Sequence, residues 1–272
     1  MIHLFCALPC EANPLINHYG LKQLKGNQLF KLYSAEDSLI SLTLTGVGKS
    51  NAAAAVAFHA ASLQPLTSDI WLNIGIAGHE KAELGECFLV NKITEPNNQH
   101  AWYPQFVGRM PCPSLPLQTI DTPSKNYQTT LFDMEASGFY SIAIRIGTAE
   151  LIHCIKIVSD NASQDFGSVN KNLVSQYISK HITTIDEIIA ALLPHAEELM
   201  KMTAMPDSFN QMLEQIHFTA TEQIQLGRVL KQWQVRLPEM NPVDHIQTNM
   251  SAKRVLQTLN KQINDQPFSL TI

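Results

Sequence analysis

Residues 40–65, ISLTLTGVGKSNAAAAVAFHAASLQP, decide the fold class of this chain. The alternating, β-branched start predicts a strand, the two glycines that follow predict a turn, and the alanine-rich run ended by Pro65 predicts a helix. When strand–turn–helix units recur along a chain, they are typical of an α/β domain with a central sheet.

The pattern continues on both sides of this stretch. We expect a buried strand before Pro9 and a hairpin around residues 35–38. Further strands are expected over residues 69–78, 85–95 and 151–159. Helical periodicity over about 168–193 predicts a helix that Pro194 ends. Residues 96–130 are rich in Pro, Asn, Gln, Ser and Thr and predict a long irregular excursion. The α/β domain is therefore expected to span residues 1–194.

Residues 195–272 show helical patterns without strand signals and are predicted to form a helical extension. Thr219 and Glu222 have the spacing of a capping box at the start of its middle helix. An apolar stripe follows at helical spacing: Ile224, Leu226, Val229, Leu230 and Trp233. Core packing is the simplest interpretation of that stripe. The extension carries seven Lys or Arg against eight Asp or Glu, which argues against a DNA-binding element. It could cover the core or form a subunit interface.

Composition excludes several classes of protein. The net charge of −5 and pI near 6.0 argue against nucleic acid or an anionic membrane as partner. No apolar run is long enough to span a bilayer. Five scattered cysteines predict small buried side chains rather than a disulfide framework, so a cytoplasmic location is expected. No His, Cys and Asp cluster predicts a metal site, and no cofactor is expected.

Three acidic residues follow predicted strands, where open α/β sheets place their ligand sites: Glu11, Glu135 and Asp160. Any one of them alone is typical of a cap or a turn, but three at strand ends of one sheet favour a site. Asp133, two residues before Glu135, is predicted to be a local hydrogen-bond acceptor at the start of a helix. Thr43 stands where a phosphate-binding loop would need its first glycine, so GVGKS is not such a loop.

Four segments resemble the nucleoside phosphorylase superfamily, which includes purine nucleoside phosphorylases and methylthioadenosine/S-adenosylhomocysteine nucleosidases. They are ALPCEANPL (7–15), TGVGKSNAAAA (45–55) followed by LNIGIAG (72–78), FDMEASGFY (132–140) and IKIVSDNAS (155–163). The resemblance covers about residues 1–162 and leaves the helical extension out. It implies a three-layer α/β/α fold with a mixed sheet, a purine nucleoside or thionucleoside as substrate, and a homo-oligomer.

The resemblance also implies roles for these residues. Asp160 matches the general acid that protonates the departing purine, and should carry a proton when substrate binds. Glu135 matches the acceptor of the ribose hydroxyls, and Glu11 matches the residue that orients and deprotonates the attacking water. The remaining substrate-binding residues that it implies are Met134 beneath the sugar, Gly78 leaving room for the nucleoside, Phe132 and Ser159.

The nucleophile is either water or phosphate. Arginine is the preferred residue for gripping a phosphate dianion, yet the first arginine in the chain is Arg109. Its absence from the N-terminal region and the presence of Glu11 favour hydrolysis, while Lys49 or an arginine of a neighbouring subunit would allow phosphorolysis.

Two residues depart from the family pattern. Ile76 stands where its hydrolases usually carry a hydroxyl, and Lys156 where an arginine would support Asp160. They leave a third alternative open, a nucleoside-binding module without turnover.

The irregular excursion offers aromatic side chains for a base to stack on, although packing is an equal interpretation: Trp102, Tyr103, Phe106 and Tyr127. His79 and His153 are expected to be structural.

Overall fold

The computed structural model describes residues 1–26, 29–35, 39–96, 98–125, 127–165, 167, 169–247 and 249–265. These residues form two compact units, Met1–Lys201 and a second that begins at Met202. The first unit is an α/β fold with a mixed sheet, and the second is helical. No helix in the described ranges is long and apolar enough to cross a membrane.

The strands are β1 (Ile2–Cys6), β2 (Lys22–Gln23), β3 (Lys31–Ser34), β4 (Ile40–Leu44), β5 (Ile70–Gly78), β6 (Cys87–Thr94), β7 (Ala101–Trp102), β8 (Ser114–Thr119), β9 (Leu131–Asp133) and β10 (Ile152–Asp160). The helices of the first unit are α1 (Pro9–His18), α2 (Lys49–Leu63), α3 (Ala136–Ala143), a short 3₁₀ turn (Ala149–Leu151), α4 (Lys171–Lys180) and α5 (Ile182–Thr203).

Strand pairing closes part of the sheet on itself. Strand β1 lies parallel between β4 and β5, and the predicted hairpin is present as the antiparallel pair β3–β4, although most of its turn lies outside the described residues. Beyond β5, the pairs β5–β10, β10–β6, β6–β8, β8–β9 and β9–β5 form a cycle. The sheet is therefore partly closed rather than open, which brings the ends of β5, β9 and β10 together.

Successive residues of the central strands alternate between two hydrophobic clusters. Leu4 and Leu72 belong to a cluster shared with α1, α4 and α5, whereas Phe5 and Trp71 belong to one shared with α2 and α3. Both faces of these strands are therefore covered by helices, which explains why the strands are continuous apolar runs. All five cysteines are free, and only Cys112 is not fully buried.

Two sequence-based expectations for the first unit are wrong. Residues 96–130 contain β7 and β8, and β8 holds Pro116 inside the sheet. The proline is tolerated because the register shifts between Val90 and Lys92 opposite it. Pro194 does not end its helix: α5 runs through it to Thr203, because Ala196 and Leu199 continue to pack on the same core as the residues before the proline.

The second unit contains α6 (Asp207–Gln215), α7 (Ala220–Arg236), a 3₁₀ turn (Pro242–His245) and α8 (Ala252–Asp265). The predicted capping box of Thr219 and Glu222 starts α7. Leu226, Val229, Leu230 and Trp233 are buried in a core of this unit's own, but Ile224 is 59% exposed and does not belong to the packed stripe.

Candidate active site

A cleft with a cavity volume of about 120 Å³ opens to solvent where β1, β5, β9 and β10 end. Its lining includes all seven of the site residues expected from the sequence, which are Glu11, Gly78, Phe132, Met134, Glu135, Ser159 and Asp160. Residues from four separate segments of the chain thus meet in one place.

Glu11 is held by the main chain at the start of α1. Its Oε2 accepts hydrogen bonds from the N–H groups of Ala7 (2.9 Å) and Leu8 (2.8 Å), and its Oε1 accepts one from the N–H of Ile76 (3.0 Å). The Glu11 carboxylate can lie this close to the main chain of β5 only because residue 75 is glycine. A Cβ at that position would lie 2.8 Å from Oε1 of Glu11. A carboxylate has about four acceptor sites, so one remains for a further donor.

Burial raises the pKa of Glu11, while the three N–H groups and the positive charge of Lys156 act in the opposite direction. The group is 3% exposed, so both effects are strong. A buried carboxylate with a raised pKa and one open acceptor site can take a proton from a bound water.

Glu135 precedes helix α3 and reaches toward the start of α2. Its Oε1 accepts a hydrogen bond from the N–H of Gly48 (2.9 Å), and its Oε2 accepts the longer bond of the Met134 N–H (3.4 Å). Gly48 has a φ of 104°, in the part of backbone space that favours glycine. In this conformation the turn directs the N–H of Gly48 toward Glu135. Burial, followed by the charge of Asp133, raises the pKa of Glu135 to about 7.

Asp160 ends β10 and accepts hydrogen bonds from two hydroxyl groups. Tyr127 donates to Oδ2 (2.7 Å) and Ser159 donates to Oδ1 (2.5 Å). A Cβ on Gly78 would lie 2.9 Å from Oδ2 of Asp160 and 3.2 Å from Cε1 of Tyr127. The space that a side chain at position 78 would take is therefore held by the Tyr127–Asp160 pair.

Lys156 contacts a different carboxylate from the one expected. Its Nζ lies 2.8 Å from Oδ2 of Asp133, and both side chains are almost completely buried. Asp133 also accepts hydrogen bonds from the Thr119 hydroxyl and from the N–H of Ala136, each 2.8 Å. The prediction that Asp133 is a local acceptor at the helix start is confirmed. The doubt that the lysine at position 156 raises about support of Asp160 agrees with its contact with Asp133. The acidic neighbours raise the pKa of Lys156 against the effect of burial.

Carboxylates dominate the charge of the cleft. Glu11, Asp133, Glu135 and Asp160 line it, and no Lys, Arg or His among the described residues does so. Lys49, the candidate for holding phosphate, lies 3.0 Å from Asp121 and 3.6 Å from Glu95. The described residues hold no cluster of His, Cys, Asp and Glu suited to a metal ion.

Of the four aromatic residues considered for base stacking, Tyr127 lines the cleft. Trp102 packs against the core shared with α2 and α3, Phe106 contacts His153, and Tyr103 is 56% exposed. The hydrogen bond from Tyr127 to Asp160 was not predicted, because no motif surrounds Tyr127 and only its place just before β9 could have indicated it.

The two histidines bond to the main chain. Nδ1 of His79 accepts from the N–H groups of Lys81 and Ala82, and Nε2 of His153 lies 3.0 Å from the carbonyl oxygen of Glu150. Burial lowers the pKa of His153 to about 4.

No protein-family model and no curated protein matches the chain significantly. Solved structures do match. The 5′-methylthioadenosine nucleosidase of Arabidopsis thaliana has a TM-score of 0.57 at 19% identity, over 70% of this chain and 95% of that one. A Helicobacter pylori nucleosidase variant with 5′-methylthioadenosine in its active site has a TM-score of 0.57 at 9% identity, over 70% and 97%.

A nucleosidase from Chlamydia trachomatis has a TM-score of 0.52 at 22% identity, over 68% of this chain and 97% of that one. These proteins are methylthioadenosine/S-adenosylhomocysteine nucleosidases, members of the nucleoside phosphorylase/hydrolase superfamily. The resemblance inferred from the four sequence segments is thus confirmed at the level of the fold.

Proposed function

We propose that this chain hydrolyses the N-glycosidic bond of a purine nucleoside or thionucleoside. The observation that carries the proposal is the meeting of Glu11, Glu135 and Asp160 in one cleft, without a basic side chain among its described lining residues. Breaking this bond leaves positive charge on the ribose and negative charge on the departing base. The cleft offers carboxylates to the first and an acid to the second.

At the base end, Asp160 gives a proton to N7 of the purine as the bond breaks, so that the base leaves as a neutral molecule. The position of Asp160 at the carboxyl end of β10, buried to 94% beside Gly78, supports this role. Ser159 bonds to one oxygen of the carboxyl group and fixes its orientation. Phe132, on the neighbouring strand β9, provides an apolar surface for the base.

At the sugar end, Glu135 accepts the ribose hydroxyls mainly through Oε2, whose bond from the Met134 N–H is longer than the bond of Oε1 from the Gly48 N–H. Met134 lies in the lining next to it and packs beneath the ring. The carboxylate of Glu135 also places negative potential near the sugar as it becomes an oxocarbenium-like cation, which lowers the barrier.

Glu11 binds the attacking water at its open acceptor site. Its three N–H donors fix the carboxylate, so the water is oriented at no cost of side-chain ordering during the reaction. As the water attacks the anomeric carbon, Glu11 takes one of its protons. Ile76 contributes its main-chain N–H to Glu11, which makes a hydroxyl side chain at that position unnecessary for holding the carboxylate.

The cleft disfavours phosphate as the nucleophile. Four acidic side chains and no described basic side chain line the cleft, and Lys49 is paired with Asp121 and Glu95. The cleft therefore lacks the basic group that usually grips a phosphate dianion. Phosphorolysis and binding without turnover are therefore the two alternatives that the experiment distinguishes from hydrolysis.

The lining away from the carboxylates is apolar and suits a thioether substituent, with Leu8, Val47, Ile76, Ile120 and Pro123 exposed to the cleft. Because the Helicobacter pylori neighbour binds 5′-methylthioadenosine, this compound is the first substrate to test. The purified protein is incubated with 5′-methylthioadenosine, adenosine and inosine, with and without phosphate, and the products are separated by chromatography.

We expect free base and free sugar without phosphate. A sugar 1-phosphate would contradict the choice of water. Binding without release of base would contradict turnover and favour the binding module. A mock purification from cells without the protein, tested in parallel, identifies base release by a contaminating enzyme, since such release would persist.

We also propose a role for each of the two parts of the chain. Residues 1–194 are proposed to form a three-layer α/β/α domain that carries the active site, and residues 195–272 an extension that takes no part in the chemistry. The two hydrophobic clusters on alternate residues of β1 and β5 support the first statement. The separate core of the helices from α6 to α8 supports the second.

A further inference from the structure

Asp160 is contacted by a tyrosine, Tyr127, that lies outside the four segments resembling the nucleoside phosphorylase superfamily. Tyr127 lies in the segment between β8 and β9 and is half-buried, and its hydroxyl donates to Oδ2 of Asp160 over 2.7 Å. Ser159 donates to the other oxygen. Both oxygens of the carboxyl group therefore have a hydroxyl partner when no nucleoside is bound.

The main chain around Tyr127 is tied down on both sides. Before it, Lys125 forms an ion pair with Asp165, beyond the end of β10. After it, the carbonyl oxygen of Gln128 accepts a hydrogen bond from the N–H of Glu80 (3.1 Å), and that of Thr129 lies 3.3 Å from Nε2 of His79. These contacts place the phenol ring at the cleft wall rather than in solvent.

Gly78 makes the contact between the phenol and the carboxylate geometrically possible. A Cβ at this position would come within 2.9 Å of Oδ2 of Asp160 and 3.2 Å of Cε1 of Tyr127. Real Cβ atoms essentially never lie within 3.0 Å of another atom, and 3.2 Å is closer than most, so any side chain at position 78 would press on both partners.

We propose that Tyr127 is a positioning residue for Asp160 and that its hydroxyl fixes the plane of the carboxyl group. A hydroxyl can donate to a carboxylate and accept from a carboxylic acid, so the same contact serves both states of Asp160. After proton transfer to the base, the phenol donates to the new carboxylate and holds it in place until a proton returns. This inference rests on the proposed function of the cleft.

The test compares Tyr127→Phe with the wild-type protein, using 5′-methylthioadenosine and measuring kcat and KM separately. Loss of the hydroxyl that orients the acid should lower kcat about 10-fold or more. KM should change much less, because the phenol hydroxyl bonds to Asp160 and acts through it. Glu11, Asp133 and Glu135, the other titratable groups of the cleft, keep all their contacts in this variant.

Gly78→Ala is the second variant, since it presses on the pair without removing the hydroxyl, and it should also lower kcat. Tyr103→Phe, at an exposed tyrosine outside the cleft, is the matched control and should leave kcat and KM unchanged. A rise in KM with an unchanged kcat in Tyr127→Phe would mean that the ring only packs, and would overturn the inference, as would unchanged kinetics. An inactive wild-type protein would instead contradict the proposed function itself, and this inference with it.

Discussion

The ammonium group of Lys156 lies 2.8 Å from Oδ2 of Asp133, and neither side chain is more than 1% exposed. This ion pair joins β10 to β9 directly behind the cleft. Lys156 also opposes the rise in pKa that burial causes at both Glu11 and Glu135. One buried lysine thus interacts electrostatically with three acidic residues from two segments of the chain.

Replacing Lys156 with Met should destabilise the protein, because it leaves the Asp133 carboxylate buried without its partner. The expected loss is about 3–5 kcal/mol in the free energy of unfolding measured with urea. The double variant Asp133→Asn with Lys156→Met removes both charges and should recover more than half of this loss. If the double variant is as unstable as the single one, the ion pair is not the cause.

Replacing Asp160 with Asn should abolish base release from 5′-methylthioadenosine, because the amide cannot donate the acid's proton. Loss of a general acid lowers rates by about 10²–10⁴-fold. Binding of the nucleoside, measured by calorimetry, should change much less than kcat. Asp186→Asn, at a partly exposed carboxylate that bonds to His18 and Tyr19, is the matched control and should keep full activity. Near-normal turnover of the Asp160 variant would refute its assignment as the acid.

Replacing Glu135 with Gln should stabilise the folded chain at alkaline pH while weakening nucleoside binding. The pKa of Glu135 is raised from 4.5 to about 7, so ionisation opposes folding increasingly as pH rises through this interval and fully above it. The free energy of unfolding should therefore rise by roughly 2–3 kcal/mol at pH 8 and very little at pH 5. Glu187→Gln at an exposed position should show no such dependence. A gain that is equal at both pH values would contradict the raised pKa.

His59 should make the protein sensitive to acid. Burial, and then the proximity of His3, lower its pKa to about 3, with Asp69 acting in the opposite direction. Below pH 6.5 the unfolded chain binds a proton that folded His59 does not, so stability falls as the pH drops from 6.5 toward 3. In urea titrations His59→Gln should lose up to about 1.4 kcal/mol less per pH unit than the wild type. His100→Gln, at an exposed site, should follow the wild type.

Two glycines inside helices should respond to alanine in opposite ways. A Cβ on Gly138 in α3 would lie 1.9 Å from the carbonyl oxygen of Lys49, where main chain meets main chain. Gly138→Ala should therefore force α2 and α3 apart and lower the melting temperature strongly. A Cβ on Gly227 in α7 would meet the flexible end of Met205 at 3.0 Å, so Gly227→Ala should be neutral or stabilising through helix propensity. Equal effects of both substitutions would contradict this packing account.

Much of the fold could be predicted from the sequence. Apolar runs bounded by glycine or proline correctly indicate β1, β5, β6 and β10, and residues 40–65 indicate β4 and α2. Strand β8 could not be predicted, since a proline in the middle of a run is unlike a strand and only the register shift in β6 accommodates Pro116. The extent of α5 past Pro194 is likewise decided by packing of distant residues, which no local pattern records.

At the site, too, the residues could be predicted from the sequence but some of their contacts could not. Glu11, Glu135 and Asp160 could be found because each follows a strand, and their meeting follows from the sheet. The sequence could not identify Asp133 as the partner of Lys156. Several charged residues lie at similar distances along the chain from each of the two, so spacing alone does not select a pair. Whether the lysine reaches Asp133 or Asp160 depends on the alternation of side chains along β10 and on the pairing of strands around it.

The main-chain amides that hold Glu11 have a consequence for redesigning the cleft. Ala7, Leu8 and Ile76 supply N–H groups, which every residue except proline possesses, while their side chains line the cavity. These three positions can therefore be varied to accept differently shaped substituents without loosening the carboxylate. A library confined to them would explore substrate range while the catalytic framework stays constant.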